Sequence, residues 1–422
     1  MKKNSVLRSI LPFLPLLLLY IIVVLMFSNN ELVGDESRHM AYATNLTHGY
    51  YTDTVNPEIR NGPGYPLVIA PLVFAKAPYI TVKLLNVLFF IMAVVFFFKT
   101  ISFYLGRKKS VAWGYLFGLY PASIKWMVFI YSESFALFLA CGFLYYFLKV
   151  HRSTEKKYVN ATLSATFLGI LALTKVIFGY VIIAVALFYL IVYAFKRSKK
   201  IRFSLMVLAA GFLFCIPYLG YTYYLTGKSM NWGTGGGEIL YWRSSPFSSE
   251  YGDWISSDVV LGKEEGDYFD TSTIFKNHGA FIQSLEPYSL VQRDSLYKEK
   301  AIENIKQYPL KFIQNTGASA LRLFFNYPYS YTPQKISSYF YILPNIFLTV
   351  FLLLSLFLAI QNQMSIPFEI RFIGLTALIF IGGLTLLDGR VRHLLPILPL
   401  LMVCIVFVLK RSLWISIAQD IE

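Results

Sequence analysis

Charged residues are scarce in this sequence, and so are cysteines. Asp, Glu, Lys and Arg make up 14% of the 422 residues, whereas hydrophobic residues make up 56%. Soluble domains carry about 25% charged residues, so this composition excludes one and indicates a polytopic membrane protein. The three cysteines, Cys141, Cys215 and Cys404, lie in apolar runs without Cys-x-x-Cys spacing, which excludes a disulfide framework and a cysteine metal site.

The sequence also lacks a basic tract of the kind that binds nucleic acid, although its net charge is +15. Lys and Arg form short clusters at the ends of apolar runs, as the positive-inside rule distributes them. The expected partner is therefore the membrane lipid and not nucleic acid. No strand and no Gly-Lys-Ser/Thr follows the Gly-rich stretch 233–237, so we interpret this stretch as a mobile lid and not as a phosphate loop.

The apolar runs predict an all-α polytopic membrane protein with about ten transmembrane helices and both termini inside. The first run, 10–27, follows Lys2, Lys3 and Arg8 and has no small-residue cleavage site, so we interpret it as an uncleaved signal anchor. The other predicted spans are 80–104, 111–120, 132–150, two within 159–195, 203–225, 340–360, 372–387 and 394–409.

The run 159–195 would be about 55 Å long as one helix, nearly twice the thickness of the bilayer core. A single crossing would also place its two flanking basic loops on opposite faces of the membrane. Two short crossings with a turn at Thr174-Lys175 avoid both problems. They bring Lys175, the charged residue of this run, to the outer surface.

This topology divides the chain into three regions. Residues 1–225 form an N-terminal membrane module, and its first outer loop, 28–79, is expected to carry interfacial helices. Residues 226–338 form an extracytoplasmic segment, in which 310–325 predicts an amphipathic membrane-surface helix with Lys311 and Arg322 at its polar positions. Residues 339–422 form the C-terminal membrane helices.

The first outer loop is unusually polar. It contains the adjacent acids Asp35 and Glu36, and Arg60 precedes a Gly-Pro-Gly-Tyr-Pro turn. Such a pattern is also typical of a solvated face or a helix cap. The predicted topology, however, places eight polar residues on one outer surface, and this shared location favours an active site. They are Asp35, Glu36, Arg60, Glu133, Lys175, Asp388, Arg390 and Arg392.

Acids among cations suit transfer from a phosphate-linked donor. A carboxylate can take the proton of an attacking hydroxyl, while Arg and Lys bind a phosphate whose negative charge grows as it leaves. The outer face lacks nucleotide sugars, so we expect the donor to arrive through the membrane as a lipid phosphate. His39, four residues after Asp35, would share its helix face, but two ligands do not make a metal site.

Five motifs in order carry a family resemblance: Gly34-Asp35-Glu36, Arg60-x-x-Pro63-Gly64-Tyr65-Pro66, Ser132-Glu133-Ser134, Leu173-Thr174-Lys175 and Arg392-His393-Leu394-Leu395-Pro396-x-x-Pro399. In these motifs the chain resembles the GT-C superfamily of polyprenyl-phosphate-sugar glycosyltransferases. The similarity is greatest to bacterial enzymes like the protein mannosyltransferases and the aminoarabinose transferase that modifies lipid A.

The resemblance implies an inverting glycosyltransferase of the inner (plasma) membrane that moves a sugar from a polyprenyl-phosphate donor to an extracytoplasmic glycolipid, glycan or protein. It implies that Asp35 is the catalytic base, that Glu36 orients the loop or the substrate, and that a divalent metal is optional. The residues expected at the donor phosphate are Arg60, Lys175, Arg390 and Arg392.

Structural alternatives accompany these roles. Asp35 is also a good helix N-cap, and Lys175 is placed to snorkel from a helix end. Glu133 is expected to pair with Lys125 or Lys175, and Asp388 with the arginines that follow it.

Two other functions compete with the transferase. A transporter or flippase of lipid-linked sugars would carry charges near the bilayer midplane and paired repeats, and the sequence has no internal repeat. An O-antigen-type ligase, which moves whole glycans, shares the surface site. The mass of the transferred unit distinguishes the ligase from the single-sugar transferase.

Overall fold

The computed structural model describes residues 8–153, 155–334 and 336–412. Lys2 and Lys3, on which the predicted signal anchor depends, lie outside the described residues. The described chain is helical throughout and contains no strand. The predicted all-α class is therefore confirmed.

The helices of the N-terminal module are α1 (Leu14–Phe27), α2 (Asp35–Thr47), α3 (Gly64–Phe74), α4 (Tyr79–Ile101), α5 (Arg107–Gly118), α6 (Pro121–Met127), α7 (Glu133–Arg152), α8 (Lys157–Thr174), α9 (Ile177–Lys196), α10 (Lys199–Leu213) and α11 (Ile216–Thr226). The following segment contains α12 (Gly236–Arg243), α13 (Ser257–Val260), α14 (Thr271–Ile274), α15 (Ala280–Ser284), α16 (Leu290–Gln307) and α17 (Pro309–Phe325). The C-terminal helices are α18 (Tyr339–Gln361), α19 (Phe368–Leu386), α20 (Val391–Leu394) and α21 (Leu398–Arg411).

Within the described residues, seven helices are long and apolar enough to span a membrane, and the bent pair α10–α11 raises the number to at most eight. The seven are Arg8–Phe27, Tyr79–Ile101, Glu133–Arg152, Ile177–Lys196, Tyr339–Gln361, Phe368–Leu386 and Val391–Arg411. The expected number of ten is therefore not confirmed. Helix α5, with 12 residues, is about 18 Å long, too short for a core of about 30 Å, and α8 carries polar Asn160 and Ser164 among its apolar residues.

The long apolar run is interrupted where its length predicts. Helix α8 ends at Thr174 and α9 begins at Ile177, so Lys175 lies in the turn between them. The first loop packs directly on this turn, since a Cβ atom at Gly62 would lie 2.0 Å from the carbonyl oxygen of Leu173. A glycine at position 62 therefore permits the first loop to reach Lys175.

The first loop contains two helices, as expected. Helices α2 and α3 pack against each other, and α3, with 11 residues, is about 16 Å long and cannot cross the bilayer. Their location at the membrane interface stays a prediction.

The 226–338 segment has a hydrophobic core of its own, separate from the core of the membrane helices. It is built around Trp242, Ile274 and Tyr297. Helix α17 is amphipathic, with Leu310 and Ile313 exposed on its apolar side. Its polar side faces the protein.

Arg322 corrects one expectation about α17. It was predicted at an exposed polar position, but it is completely buried and donates to the carbonyl oxygens of Tyr251 and Pro328. The reason is that the irregular chain on either side of Tyr251 and Pro328 supplies unpaired carbonyl groups that need donors.

Candidate active site

A cavity of about 710 Å³ lies between the first loop, the 226–338 segment and the chain that leads into α20. Four of the predicted site residues line it: Asp35, Arg60, Arg390 and Arg392. Glu36 and Lys175 do not. Its other wall residues include Arg38, Glu58, Lys125, Trp126, Tyr131, Glu238, Trp254, Tyr329 and Tyr341.

Asp35 is the first residue of α2 and sits at the cavity wall. Gly34 before it has φ +60°, and a Cβ atom there would meet the Tyr131 hydroxyl at 2.7 Å, so glycine is required at this entry. The Asp35 carboxylate binds two guanidinium groups: Oδ1 accepts from Arg38, and Oδ2 lies 2.8 Å from Nη1 of Arg392.

This environment sets the charge of Asp35. Burial alone would raise the pKa of its carboxyl, but the guanidinium groups of Arg392 and Arg38 outweigh burial and hold the pKa well below its usual range. Asp35 is therefore an anion at neutral pH. Its carboxylate is also a weaker base than a free aspartate as long as both arginines remain on it.

Glu36 points away from the cavity and is 1% exposed. Its Oε1 accepts from the backbone N–H of Ile130 at 2.7 Å, and its Oε2 accepts from that of Val33 at 2.9 Å. The Lys83 ammonium lies 3.6 Å from Oε1. Glu36 thus joins the start of α2 to the chain before α7, a contact that orients the loop and does not reach a substrate in the cavity.

The cationic wall comes from the chain before the last helix. Arg390 pairs with Asp388 at 2.9 Å and lies over the Trp254 ring at 5.4 Å. Arg392 lies over Trp126 and Tyr131, at 5.6 and 5.4 Å. Stacking on rings leaves a guanidinium edge available for hydrogen bonds, which is how arginine presents itself to phosphate.

A buried arginine, Arg243, holds the segment that leads to Arg390 and Arg392. Arg243, which is 0% exposed, donates from Nη2 to the carbonyl oxygen of Leu387 and to Ser319 Oγ, each at 2.7 Å. It also donates to the carbonyl oxygen of Asn315 at 2.9 Å. Arg243 therefore fixes the end of α19 against α12 and α17, immediately before Asp388.

Lys175 lies outside the cavity wall. Its ammonium is 2.9 Å from Oε1 of Glu133, the first residue of α7. The predicted pairing of Glu133 with Lys125 or Lys175 is thus realised with Lys175. Lys175 is still close enough to Asp35 to contribute to the lowering of that carboxyl's pKa, after Arg392, Arg38 and His39.

Arg60 also has a carboxylate partner. Its Nη2 lies 2.9 Å from Oε2 of Glu238, which is itself 4% exposed. The Gly-rich stretch just before Glu238 is held at both ends: Thr234 exchanges two hydrogen bonds with Ile59, and the Asp294 carboxylate accepts from the N–H groups of Gly235 and Gly237 at 2.9 and 2.7 Å. These bonds do not support the expected mobile lid.

Several cavity residues were not predicted. Trp126, Tyr131, Trp254, Tyr329 and Tyr341 have no distinguishing sequence signal, because aromatic residues make up 18% of the chain. Glu238 had a weak one, since it is an isolated acid directly after a Gly-rich stretch.

The cavity does not offer a clear metal ligand set. Across the described residues, no three His, Cys, Asp or Glu side chains are grouped so that they could hold a metal ion. Both oxygens of Asp35 are occupied by guanidinium groups, and His39 is 2% exposed with its ring against Tyr65 at 5.1 Å between centroids.

No family model matches the chain, and no curated protein matches it. Among solved structures, the chain is similar to an archaeal oligosaccharyltransferase, AglB from Archaeoglobus fulgidus, in complex with an inhibitory peptide and a dolichol-phosphate. The TM-score is 0.51 and the identity is 13%, over 97% of this chain and 50% of that one. The chain thus spans half the length of that protein, and at this identity the similarity concerns the fold: the expected GT-C-like, all-helical membrane fold is confirmed.

Proposed function

We propose that this chain is an inverting glycosyltransferase that moves a sugar from a polyprenyl-phosphate donor to an extracytoplasmic acceptor. The observation that carries the proposal is the 2.8 Å pairing of Asp35 with Arg392 in the wall of a 710 Å³ cavity that Arg390 also lines. One wall thereby supplies a carboxylate base and cations for a leaving phosphate. The basic clusters on the opposite loops support a plasma-membrane location with the cavity outside.

In the proposed reaction, the acceptor hydroxyl oxygen bonds to the anomeric carbon while Asp35 takes the hydroxyl proton. The bond from that carbon to the phosphate oxygen breaks on the opposite face, and its electron pair leaves with polyprenyl phosphate. Arg390 and Arg392 stabilise the growing negative charge. As the phosphate draws Arg392 away from Asp35, the carboxylate loses the partner that lowers its pKa and becomes a stronger base.

The other predicted residues act less directly. Glu36 is a positioning residue, because its partners are the backbone N–H groups of Val33 and Ile130 and the ammonium of Lys83, and it does not line the cavity. Lys175 pairs with Glu133 and does not line the cavity, and Arg60 is held by two acids, Glu238 and Glu58, whereas Arg392 lies on Asp35 itself in the cavity wall. Arg390 and Arg392 are therefore the principal phosphate residues of the proposal.

The test uses the purified chain in lipid nanodiscs with a synthetic polyprenyl-phosphate sugar, and it measures release of polyprenyl phosphate. Asp35→Asn is expected to lose about 100-fold to 10,000-fold in turnover while donor binding persists. Asp53→Asn, an exposed aspartate of the same loop, serves as the matched control. Full turnover in Asp35→Asn, or equal activity with a nucleotide sugar and no lipid carrier, would refute the proposal.

A further inference from the structure

A second cavity, of about 140 Å³, adjoins the first inside the 226–338 segment. The two cavities share four wall residues: Arg60, Glu238, Ser257 and Asp258. The other wall residues of the smaller cavity all belong to the segment, and none lies in a candidate span of the described chain. The larger cavity, in contrast, is lined by Tyr341 and Arg392, which do lie in candidate spans.

The two cavities therefore face different surroundings. A lipid-linked donor reaches the larger cavity from the membrane helices that form part of its wall. The smaller cavity belongs to the part of the chain outside those helices, which is where a second substrate would enter. The Arg60–Glu238 pair, 2.9 Å apart, lies in the wall common to both.

Charges in the smaller cavity are largely compensated by protein groups. Lys263 pairs with Glu286, and the Asp294 carboxylate accepts from the N–H groups of Gly235 and Gly237. Arg293 donates to the carbonyl oxygens of Tyr288 and Glu286. The wall carries four acids, Glu238, Asp258, Glu286 and Asp294, and three cations, Arg60, Lys263 and Arg293. This excess of acids disfavours a phosphate, whereas a neutral ligand needs no counter-charge.

The remaining wall groups indicate the chemical class of that ligand. The hydroxyls of Ser257 and Tyr297 lie 3.0 Å apart and can each donate or accept a hydrogen bond. Leu261, Ile282 and Leu285 form an apolar surface beside them. A few convergent polar groups next to an apolar surface suit a sugar ring, which has hydroxyls on its rim and C–H groups on its faces.

We propose that the smaller cavity binds a neutral sugar residue of the acceptor and directs its hydroxyl past the Arg60–Glu238 pair toward Asp35. This inference rests on the proposed function and adds the acceptor class, a glycan or a glycolipid. A peptide acceptor held by strand addition would need an exposed sheet edge, and the described chain forms no strand.

The experiment measures saturation-transfer difference NMR of the full chain in nanodiscs with methyl α-mannoside, methyl β-glucoside and methyl β-galactoside. Leu261→Trp fills the smaller cavity from a partly exposed position, and Ile302→Trp, at an exposed position of α16, is the matched control. The wild type and Ile302→Trp are expected to bind at least one glycoside, and Leu261→Trp to bind it at least about 10-fold more weakly.

Tyr297→Phe provides a second variant that keeps the ring and removes the hydroxyl. It is expected to weaken binding about 10-fold, since the sugar then loses the Tyr297 hydroxyl as a hydrogen-bond partner, and it carries the test if Leu261→Trp does not fold. The inference is overturned if the wild type binds none of the glycosides, if both variants bind them normally, or if a peptide library binds and the glycosides do not. Hydrolysis of the donor tests the proposed function separately, because water then takes the place of the acceptor hydroxyl at the anomeric carbon and polyprenyl phosphate is released without an acceptor sugar.

Discussion

Two carboxylate–cation pairs, Asp35–Arg392 and Glu133–Lys175, have nearly the same geometry and different surroundings. Both acids begin a helix, and the N···O distances are 2.8 and 2.9 Å. The Asp35 side chain is 18% exposed at the cavity and binds Arg38 as well, whereas the Glu133 side chain is 3% exposed.

This difference in burial shows why the position of an acid in a motif does not decide whether it acts on a substrate or stabilises the fold. When Arg392 moves from Asp35 to a substrate, Asp35 still has Arg38 as a partner. Glu133 is buried, so a departure of Lys175 would leave a carboxylate without its nearest counter-charge at large cost. Four measurements test this contrast.

Of these four, Arg392→Met is expected to have the largest effect. Removing a donor aimed at developing negative charge should lower turnover by about 100-fold to 1,000-fold, with donor affinity reduced less. Arg392→Lys should recover only part of the loss, because an ammonium cannot reproduce the planar guanidinium. Arg371→Met, an exposed arginine at the start of α19, controls for insertion and expression. A fully active Arg392→Met protein would show that the Asp35–Arg392 pair is structural, like the Glu133–Lys175 pair.

Lys175→Met should act mainly on stability. Glu133 would be left buried and unpaired, at a cost of about 3 kcal/mol, which appears as a lower midpoint of thermal denaturation in detergent. Adding Glu133→Gln should restore most of that loss, since both charges are then gone. If a stable Lys175→Met protein instead lost turnover about 100-fold, the sequence-based prediction that Lys175 contacts the donor phosphate would be supported.

Glu36→Gln is expected to have a smaller effect than Asp35→Asn. An amide keeps one acceptor oxygen, so either Ile130 or Val33 loses its partner, and the buried Lys83 ammonium loses its counter-charge, at a cost of about 3 kcal/mol. Thermal denaturation measures this cost, and Glu31→Gln, an exposed acid of the same loop, is the control. A loss of turnover equal to that of Asp35→Asn, without a loss of stability, would instead give Glu36 a direct catalytic role.

Arg38→Met should change mainly the pH dependence of kcat/KM. The depressed pKa of Asp35 keeps the carboxylate ionised at neutral pH, and activity is lost as the pH falls through that pKa. Without Arg38 the pKa rises, so the acid limb of kcat/KM should move to higher pH. Polyprenyl phosphate release across about pH 3 to 6 measures this limb. An unchanged limb would mean that a group other than Asp35 titrates there.

Much of the cavity could be predicted because polar residues beside apolar runs must lie at helix ends. That rule brought Asp35, Arg390 and Arg392 to one surface, and the length of the 159–195 run placed the turn at Lys175. The rule does not predict how the helices pack against each other. Whether Lys175 faces Glu133 or the cavity depends on how α7 and α8 meet, and nothing local to Lys175 encodes that contact.

The Gly-rich stretch also shows that local sequence does not predict contacts with distant residues. Its composition indicates flexibility, but Asp294, 57 residues after Gly237, accepts hydrogen bonds from its N–H groups and fixes it. The expected number of ten spans is not confirmed, for a different reason. Hydrophobic runs do not show where a helix ends, and α5 ends after 12 residues.

The contacts of Arg243 bear on how the protein is made. Its guanidinium holds the carbonyl oxygen of Leu387, so the wall that carries Arg390 and Arg392 is fixed in part against a segment made about 140 residues earlier in the chain. During synthesis, α2 and the 226–338 segment emerge first, and the cationic wall is added when the last helices enter the membrane. A nascent chain therefore holds Asp35 without Arg392, and the candidate site is completed as the final step of assembly.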